Sequence, residues 1–344
     1  MATHISFPDI GQFRNLIKNI KDHTRWSGTD ANGDPIFEKN VDLPTLKYTG
    51  HIKLHGSNGC IAIDPKSGEF WLQTRERICS VQDDNAGFAR FFAEIINLNS
   101  DFLNTFVSSL VNESKDTIFI YGEWCGKGIQ KNVAIAELPK MFVIINVRVG
   151  NQWIPLNRWK DLKAPEHSIY NIQDYKKYQL TIDFEHPELV QNEIVKIVEE
   201  VEKECPVGKA FGVSGIGEGV VWIPEDEQYQ DGKFWMKTKG EKHSVSKVTT
   251  LASIDVEKVA NINEFVANTV TEARCQQSIT KLKESNKAID RTSIGEFIRW
   301  IFNDIVKEET DTAVASNIEI SKIGGPISNA AKKWFFNNED KFDN

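Results

Sequence analysis

Short runs rich in β-branched and aromatic residues, bounded by glycine, proline and asparagine, predict β-strands through the first two thirds of the chain. The predicted strands cover residues 49–53, 59–63, 69–74, 117–124, 141–149, 219–223 and 233–238. Apolar residues at helical spacing interrupt them and predict helices over residues 10–21, 86–96 and 188–204. This mixture indicates an α+β domain.

The strand pattern stops near residue 246, and the rest of the chain shows helical spacing. The helices predicted there cover residues 256–283, 293–307 and 327–336. We therefore place a domain boundary at about residue 249. The expected organisation is an α+β domain over residues 1–248 and an all-helical C-terminal domain over residues 249–344.

The composition is that of an ordinary globular protein, with 40% hydrophobic and 26% charged residues among 344. Five cysteines are scattered without a C-x-x-C pair, which argues for reduced thiols and against a disulfide framework or a zinc site. The first residues lack the apolar run of a signal peptide, and no apolar stretch approaches the roughly 20 residues that cross a bilayer. We expect a cytoplasmic monomer that does not bind membranes, in the host cytoplasm if the protein is viral.

The formal net charge of −8 does not by itself suggest a nucleic-acid partner, because attraction to phosphates usually shows as an excess of basic residues. Net charge does not report a local patch, however. Lysines cluster late in the α+β domain, at Lys233, Lys237, Lys239, Lys242 and Lys247. Charge alone leaves the partner open.

Candidate chemistry begins with a lysine at the end of a predicted strand, in the sequence HIKLHGSNG of residues 51–59. A strand end followed by a glycine turn can present the Lys53 amine to a pocket. Taken alone, Lys-x-x-Gly is a common pattern, and a surface turn explains it equally well. His51 and His55 share a strand face, but a zinc site needs further ligands and none is obvious nearby.

Four later segments favour the functional interpretation, because they follow in an order and at distances that suit one site. Glu123 ends a hydrophobic strand, and Glu218 lies at the start of another. Lys237 and Lys239 are two residues apart, so their ammonium groups share one strand face. The apolar strand 141–149 is suited to form one wall of a base pocket. Each segment alone is ordinary, whereas the ordered set is specific.

This ordered set resembles the covalent nucleotidyltransferase superfamily of ATP-dependent ligases and messenger-RNA capping enzymes. More narrowly, it is similar to the phage RNA ligase 2 branch, which includes the kinetoplastid RNA-editing ligases. The narrower resemblance rests on KLHGSN at residues 53–58 and GEWCGKGIQKNV at residues 122–133, and it extends over roughly residues 40–245. It implies a nucleotidyltransferase (ATP-grasp-like) domain of antiparallel sheets with flanking helices, followed by the helical domain.

The resemblance implies an ATP-dependent RNA ligase that attaches AMP to Lys53, transfers it to an RNA 5′-phosphate and joins that end to a 3′-hydroxyl. An ordinary lysine amine, with a pKa of about 10.4, is almost fully protonated at neutral pH, and nearby cations disfavour the ammonium form. Lys237, Lys239 and a bound Mg²⁺ are expected to supply that field and to neutralise charge on the α-phosphate. Mn²⁺ is expected to substitute for Mg²⁺.

The same resemblance implies roles for residues around the nucleophile. Glu218 is the expected Mg²⁺ ligand, because one or two carboxylates suffice for an ion that keeps several waters. Glu123 is expected to accept hydrogen bonds from the ribose hydroxyls. Asn58 and Arg75 match positions that contact ribose and phosphates, with Arg77 as an alternative to Arg75.

Ile145 is the expected adenine-stacking residue in the strand 141–149, and Ile52, the residue before the nucleophile, is also expected to bind the nucleotide. The family commonly uses an aromatic residue where Ile145 lies, but an aliphatic side chain can also pack on a purine by dispersion. Phe142 is expected to face the other side of the strand, because an odd offset separates it from Ile145.

Other members of the superfamily are the alternatives. DNA ligases and GTP-using capping enzymes carry an OB-fold domain after the pair of lysines that corresponds to Lys237 and Lys239. The sequence pattern after Lys239 does not predict the five short strands of such a domain. That absence favours RNA as the partner, with nicked duplex RNA or ends held on a bridging strand as the substrate. An RNA-binding homologue without catalysis is disfavoured, because every charged catalytic position is occupied.

Overall fold

The computed structural model describes residues 2–111, 115–240 and 261–342. The chain divides into two compact units, Met1–Gly240 and Glu241–Asn344. Each unit has its own apolar core. The domain boundary predicted near residue 249 lies outside the described residues and stays a prediction.

Strands dominate the first unit, and most lie where the sequence predicts them. They are β1 (Trp26–Thr29), β2 (Pro35–Phe37), β3 (Thr45–Lys53), β4 (Ser57–Ile63), β5 (Phe70–Thr74), β6 (Ile78–Cys79), β7 (Ile118–Cys125), β8 (Met141–Val149), β9 (Gln152–Trp153), β10 (Ile169–Asn171), β11 (Lys177–Asp183), β12 (Gly219–Pro224) and β13 (Met236–Lys239). The prediction missed the β1–β2 hairpin, the short strands β6, β9 and β10, and β11. In β11 the buried residues Tyr178, Leu180 and Ile182 alternate with polar ones, as a half-buried strand requires.

Two larger sheets and the β1–β2 hairpin contain these strands. The four-stranded sheet has the order β11-β3-β12-β13, and all its neighbouring strands are antiparallel. The seven-stranded sheet has the order β10-β8-β7-β4-β5-β6, with β9 paired to β8. Its strands are antiparallel neighbours except β10 and β8, which are parallel. The expected α+β fold with antiparallel sheets is confirmed.

The four-stranded and seven-stranded sheets pack face to face through one apolar cluster, which we call the inter-sheet layer. Its buried members are Phe7, Cys60, Ala62, Phe119, Tyr121, Ile223 and Trp235. Successive side chains of a strand point to opposite faces, so every second residue of β4, β7 and β12 enters this layer. The pairing register of neighbouring strands therefore determines which polar side chains lie together between the two sheets.

The first unit also contains helices. They are α1 (Phe13–Arg25), α2 (Phe88–Leu98), α3 (Phe102–Phe106), α4 (Gln191–Lys203) and α5 (Pro206–Ala210). Helix α1 packs against β13, and α4 packs against β12. In α1 the buried residues Phe13, Leu16 and Ile20 are three and four residues apart, which gives the helix one apolar face.

Residues 261–342 of the second unit form only helices and turns, as predicted. The helices are α6 (Ile262–Thr269), α7 (Glu272–Glu284), α8 (Ile294–Ala315) and α9 (Ile320–Asn338). The single helix predicted over residues 256–283 was wrong within this range, because the Thr271 side chain accepts a hydrogen bond from the Arg274 amide and so caps a new helix. In the parts of the chain that the structure describes, no helix combines the length and apolarity needed to cross a bilayer.

Candidate active site

The predicted nucleophile lies where three strands of the four-stranded sheet meet in register. Lys53 is the last residue of β3, and Gly219 of β12 lies opposite both Lys53 and Lys239 of β13. Directly opposed residues share a sheet face, so the two lysines flank a single glycine. Gly219 has a φ of 154°, and a Cβ there would lie 2.0 Å from the Thr238 carbonyl oxygen. Only glycine fits between the lysine strands at this position.

Glu218, immediately before β12, binds both lysines. Its Oε2 lies 2.7 Å from Lys53 Nζ, and its Oε1 lies 3.0 Å from Lys239 Nζ. His55 Nδ1 lies 3.4 Å from the same Oε2. Only 3% of the Glu218 side chain is exposed. The contact with Lys53 joins residues that are 165 positions apart in sequence. The structure thus brings together three of the charged residues that the sequence predicts for one site.

The charges in this cluster shift its ionisation strongly. Burial alone would raise the pKa of the Glu218 carboxyl, but Lys53, Lys239 and His55 hold that pKa well below its usual range. Burial lowers the pKa of the Lys239 ammonium; Glu218 opposes this change, and Lys53 and Lys237 reinforce it. One carboxylate is therefore shared between two ammonium groups. The remaining positive charge suits the cluster to bind a phosphate.

Lys237 occupies the predicted face. It lies opposite Val221 of β12, two residues from Lys239 on β13. Its backbone amide donates to the Gly11 carbonyl at 2.8 Å, which attaches the N-terminal segment to the edge of this sheet. The two lysines of β13 thus project from the same side of the sheet as Lys53.

Asn58 and Glu123 approach from the seven-stranded sheet. They are directly opposed on β4 and β7 and share the face of Tyr121, so both side chains lie on the face that carries the inter-sheet layer. Asn58 Nδ2 donates to the Gly122 carbonyl at 3.4 Å, while its buried Oδ1 has no hydrogen-bond partner among the described residues. Glu123 Oε1 accepts from the Gly56 amide at 2.8 Å. Glu123 therefore holds the turn that follows Lys53; its predicted ribose contact stays a prediction.

Arg75 is held outside the ion cluster of Glu218. It directly follows β5, the strand that pairs with β4, and its Nη1 binds Asp9 of the N-terminal segment at 2.7 Å. The alternative, Arg77, binds Asp83 at 2.6 Å. The structure thus gives both arginines partners within the protein, and a nucleotide contact for either stays a prediction.

The structure places the side chain of Ile52 on the opposite face of β3 from Lys53. Only 2% of Ile52 is exposed, and it lies opposite Val220 on the adjacent strand. Because alternate residues point to opposite faces, Ile52 can offer a nucleotide between the sheets its backbone but not its side chain. The contact predicted between Ile52 and the nucleotide is therefore compatible with this structure only through the main-chain atoms of Ile52, and it stays a prediction.

Ile145 occupies an irregular position in β8. The register of β7 with β8 shifts between Tyr121 and Gly122, whose partners are Asn146 and Ile144, so Ile145 is the extra residue of a β-bulge. Its partly buried side chain packs against the inter-sheet layer. The prediction that Phe142 faces the other way is confirmed, because Phe142 packs instead against the aromatic residues of α2.

Val221 is a residue that the sequence reasoning missed. It lies two positions after Gly219, on the face of Lys53, and packs partly buried against the same layer as Ile145. The signal was present in Glu218-Gly219-Val220-Val221, because the two-residue period of a strand places Val221 beside the lysines. Two aliphatic side chains from opposing sheets thus border the site.

The described side chains do not form a ready metal site. Within those residues, no group of three or more His, Cys, Asp or Glu side chains is placed to hold a metal ion. Both oxygens of Glu218, the predicted Mg²⁺ ligand, contact lysine ammonium groups. A divalent ion at Glu218 would compete with these lysines, and the predicted metal role stays a prediction.

Comparison with known proteins gives one family and several similar structures. A model of the RNA ligase family matches residues 47–239. No curated protein sequence matches the chain significantly. A structure of Naegleria gruberi RNA ligase with PPi is 17% identical with a TM-score of 0.43, over 70% of this chain and 58% of that chain. A mutant of the Naegleria ligase with ATP and Mn is 18% identical with a TM-score of 0.42, over the same shares.

This chain thus spans less than two thirds of the length of those solved structures. The family match covers more than half of the 344 residues and includes Lys53, Glu218 and Lys239. It confirms the resemblance to RNA ligases within the nucleotidyltransferase superfamily, while the narrower phage RNA ligase 2 branch stays a prediction. This chain belongs to the RNA ligase family.

Proposed function

We propose that this protein is an ATP-dependent RNA ligase whose nucleophile is Lys53. The observation that carries the proposal is the cluster of Lys53, Lys239 and Glu218, with nitrogen–oxygen distances of 2.7 and 3.0 Å. Two ammonium groups that share one buried carboxylate are poised to exchange it for phosphate oxygens. If Lys53 were an ordinary surface lysine in a turn, nothing would require it to contact a buried carboxylate that a second lysine also binds.

The surroundings of the cluster suit a purine nucleotide. Asn58 Oδ1 is a buried acceptor without a partner in the described structure, so a ligand hydroxyl can satisfy it. Val221 and Ile145 face the inter-sheet layer from opposite sheets, and we propose that the purine lies between them. Lys53 and Lys239 are then left to contact the α-phosphate.

Attack by Lys53 Nζ on the α-phosphorus forms a nitrogen–phosphorus bond and breaks the bond to the bridging oxygen, which leaves with pyrophosphate. The amine must first lose a proton, which water can take because 23% of the Lys53 side chain is exposed; Glu218 Oε2 is within hydrogen-bonding distance of the amine nitrogen. The depressed pKa of Glu218 suits this carboxylate to orient the amine rather than to retain the proton. Lys239 stabilises the charge that develops on the phosphate oxygens.

The remaining two steps use the same groups. The adenylyl group passes from Lys53 to the 5′-phosphate of an RNA end, and a 3′-hydroxyl then attacks that phosphate and releases AMP. We propose that Mg²⁺, or Mn²⁺ in its place, enters with ATP, since phosphates and waters can supply most ligands of such an ion. Glu218 would complete these ligands once phosphate oxygens replace its own oxygens at the two lysines. Nicked duplex RNA, or ends on a bridging strand, is the proposed substrate.

The direct test is a sealing assay with matched nicked RNA, nicked DNA and single-stranded RNA, each with ATP or GTP and Mg²⁺. The proposal expects nicked RNA to be sealed fastest, with ATP, and not at all by Lys53→Ala. Lys47→Ala, an exposed lysine on the same strand, is the control and should seal normally. Preferential sealing of nicked DNA, or covalent labelling from GTP but not ATP, would contradict the proposal.

A further inference from the structure

Helix α1 carries three basic side chains on the side opposite its buried residues. Lys18, Lys21 and Arg25 are three and four residues apart, so they form one row along the helix, which we call the basic row. The buried residues Leu16 and Ile20 are each two positions from Lys18, a rotation of about 200° that places them on the other side. The basic row therefore lies on the solvent side of α1.

The positive charge of the basic row is not neutralised by neighbouring carboxylates. Within the residues that the structure describes, none of its three members forms an ion pair. Helix α1 contains four basic residues and a single acidic residue, Asp22, although the whole chain has a net charge of −8. A concentrated positive patch on an acidic protein attracts an anionic partner.

The β1–β2 hairpin follows the basic row directly and presents two aromatic side chains. Trp26 comes immediately after Arg25 and lies opposite Phe37, so the two rings share one face of the hairpin. They are 58% and 43% exposed, and we call them the aromatic pair. The Glu38 amide donates to the Arg25 carbonyl at 2.8 Å, which holds the aromatic pair next to the end of the basic row. Exposed apolar groups that lie together mark an interaction surface.

The path of α1 connects this surface with the candidate active site. The helix begins just after Gly11, whose carbonyl accepts from the Lys237 amide. Asn19 Nδ2 donates to the carbonyl of Lys233, which precedes β13, so α1 runs back along the edge of the sheet and away from Lys239. Its 13 residues span about 20 Å. The helix thus leads from the strand of the site lysines to the aromatic pair.

We propose that the basic row and the aromatic pair form a docking surface for a single-stranded segment of RNA beside the break. This inference rests on the proposed function, which makes the nucleic acid RNA. Lys18, Lys21 and Arg25 neutralise backbone phosphates, while Trp26 and Phe37 stack on unpaired bases. Lysine is depleted in protein–protein interfaces, so a lysine row that ends at exposed aromatic rings fits a nucleic acid better than a protein.

The test of the aromatic pair measures binding of a fluorescent, unstructured RNA of about 12 nucleotides to the full chain by anisotropy, without ATP. The RNA has hydroxyl groups at both ends, so it cannot be adenylylated or joined. Trp26→Ala should raise Kd by about 5- to 150-fold, the effect of one lost stacked base. Trp26→Leu keeps apolar bulk without a ring and should weaken binding nearly as much. Phe70→Ala removes a 40% exposed ring on β5 and should leave Kd unchanged.

The test of the basic row uses the dependence of the same Kd on salt concentration. The row variant combines Lys18→Gln, Lys21→Gln and Arg25→Gln. It should lower the slope of log Kd against log salt by about 2, since each phosphate contact of a single strand contributes about 0.7. The control removes the same charge from three exposed lysines elsewhere, Lys47, Lys196 and Lys203, and should keep the wild-type slope.

A thermal melt shows which variants fold, and Phe37→Ala tests the aromatic pair independently should Trp26→Ala not fold. Absence of RNA binding by the wild type at low salt would overturn the inference, as would a wild-type Kd in folded Trp26→Ala or Trp26→Leu. A wild-type dimer that Trp26→Ala converts to a monomer would overturn it too, because the aromatic pair would then bind a second copy of the chain. A wild type that binds the RNA through this surface but forms no lysyl-AMP with ATP would instead overturn the proposed function.

Discussion

Replacement of Glu218 by glutamine tests the ion cluster most sharply. The change keeps the size of the side chain and removes the charge that Lys53 and Lys239 share at 2.7 and 3.0 Å. Two ammonium groups then remain close together without a counter-ion. Removal of one partner of a buried pair typically costs about 3–5 kcal/mol. Because 23% of Lys53 and 14% of Lys239 stay exposed, water screens the remaining charges, and we expect about 3 kcal/mol.

For a unit of this size, that loss lowers Tm by roughly 6–12 °C at pH 7. Glu204→Gln is the matched control, because Glu204 pairs with Lys209 at 2.6 Å with both side chains exposed. An exposed pair contributes about 1 kcal/mol or less. Thermal unfolding followed by circular dichroism measures both variants under identical conditions. Equal Tm values for Glu218→Gln and Glu204→Gln, or a more stable Glu218→Gln, would refute this reasoning.

The pH dependence gives an independent check of the same cluster. The folded-state pKa of Glu218 lies well below its ordinary value, so its contribution to stability is complete above the unfolded-state pKa of about 4.3. The contribution is lost as pH falls from there through the folded-state pKa. The difference in free energy of unfolding between wild type and Glu218→Gln should therefore be constant near neutral pH and shrink below about pH 4. A difference independent of pH would contradict the assignment.

Three further substitutions test individual residues. Lys239→Met should slow single-turnover formation of lysyl-AMP by about 100- to 1,000-fold, since it removes charge stabilisation at the phosphate. Tm should change little, because Glu218 keeps its bond to Lys53. A rate of lysyl-AMP formation within about threefold of the wild-type rate would refute that role of Lys239. Asn58→Ala should raise KM for ATP by about 3- to 10-fold in the same assay, and an unchanged KM would show that its unpartnered oxygen does not contact the nucleotide. Gly219→Ala should prevent stable folding, because its Cβ would lie 2.0 Å from a carbonyl oxygen. The control is Gly295→Ala in an open helical position, which should leave Tm unchanged or raise it. A soluble Gly219→Ala protein with the Tm of the wild type would contradict the geometry.

Strands with a strong local signal could be located from the sequence alone. The run of nine largely apolar residues predicted over 141–149 has the bounds of β8, because this strand is buried between its neighbours β10 and β7 in the seven-stranded sheet. The two-residue period placed Lys237 and Lys239 on one face, and the register of β13 confirms it. In both cases the information lies within a few consecutive residues.

Features that depend on contacts between distant segments could not be predicted in this way. The bulge at Ile145 arises from the register of β8 with β7, which no local pattern encodes. The pair of Arg75 with Asp9 joins segments 66 positions apart. The carboxylate of Glu218 lies between two lysines from two other strands, a contact that the motifs did not predict, while its metal role stays a prediction. Sequence motifs identified the charged groups, and only the fold showed which of them neutralise each other.

Identification of the adenylylated residue tests the central claim most directly. The purified protein is incubated with ATP and Mg²⁺, and its intact mass and proteolytic peptides are measured. The account predicts one added adenylyl group per chain, on the peptide that contains Lys53, and none in Lys53→Ala. Lys47→Ala should be modified as fully as the wild type. An unmodified wild type, or an adenylyl group on any other residue, would contradict the account.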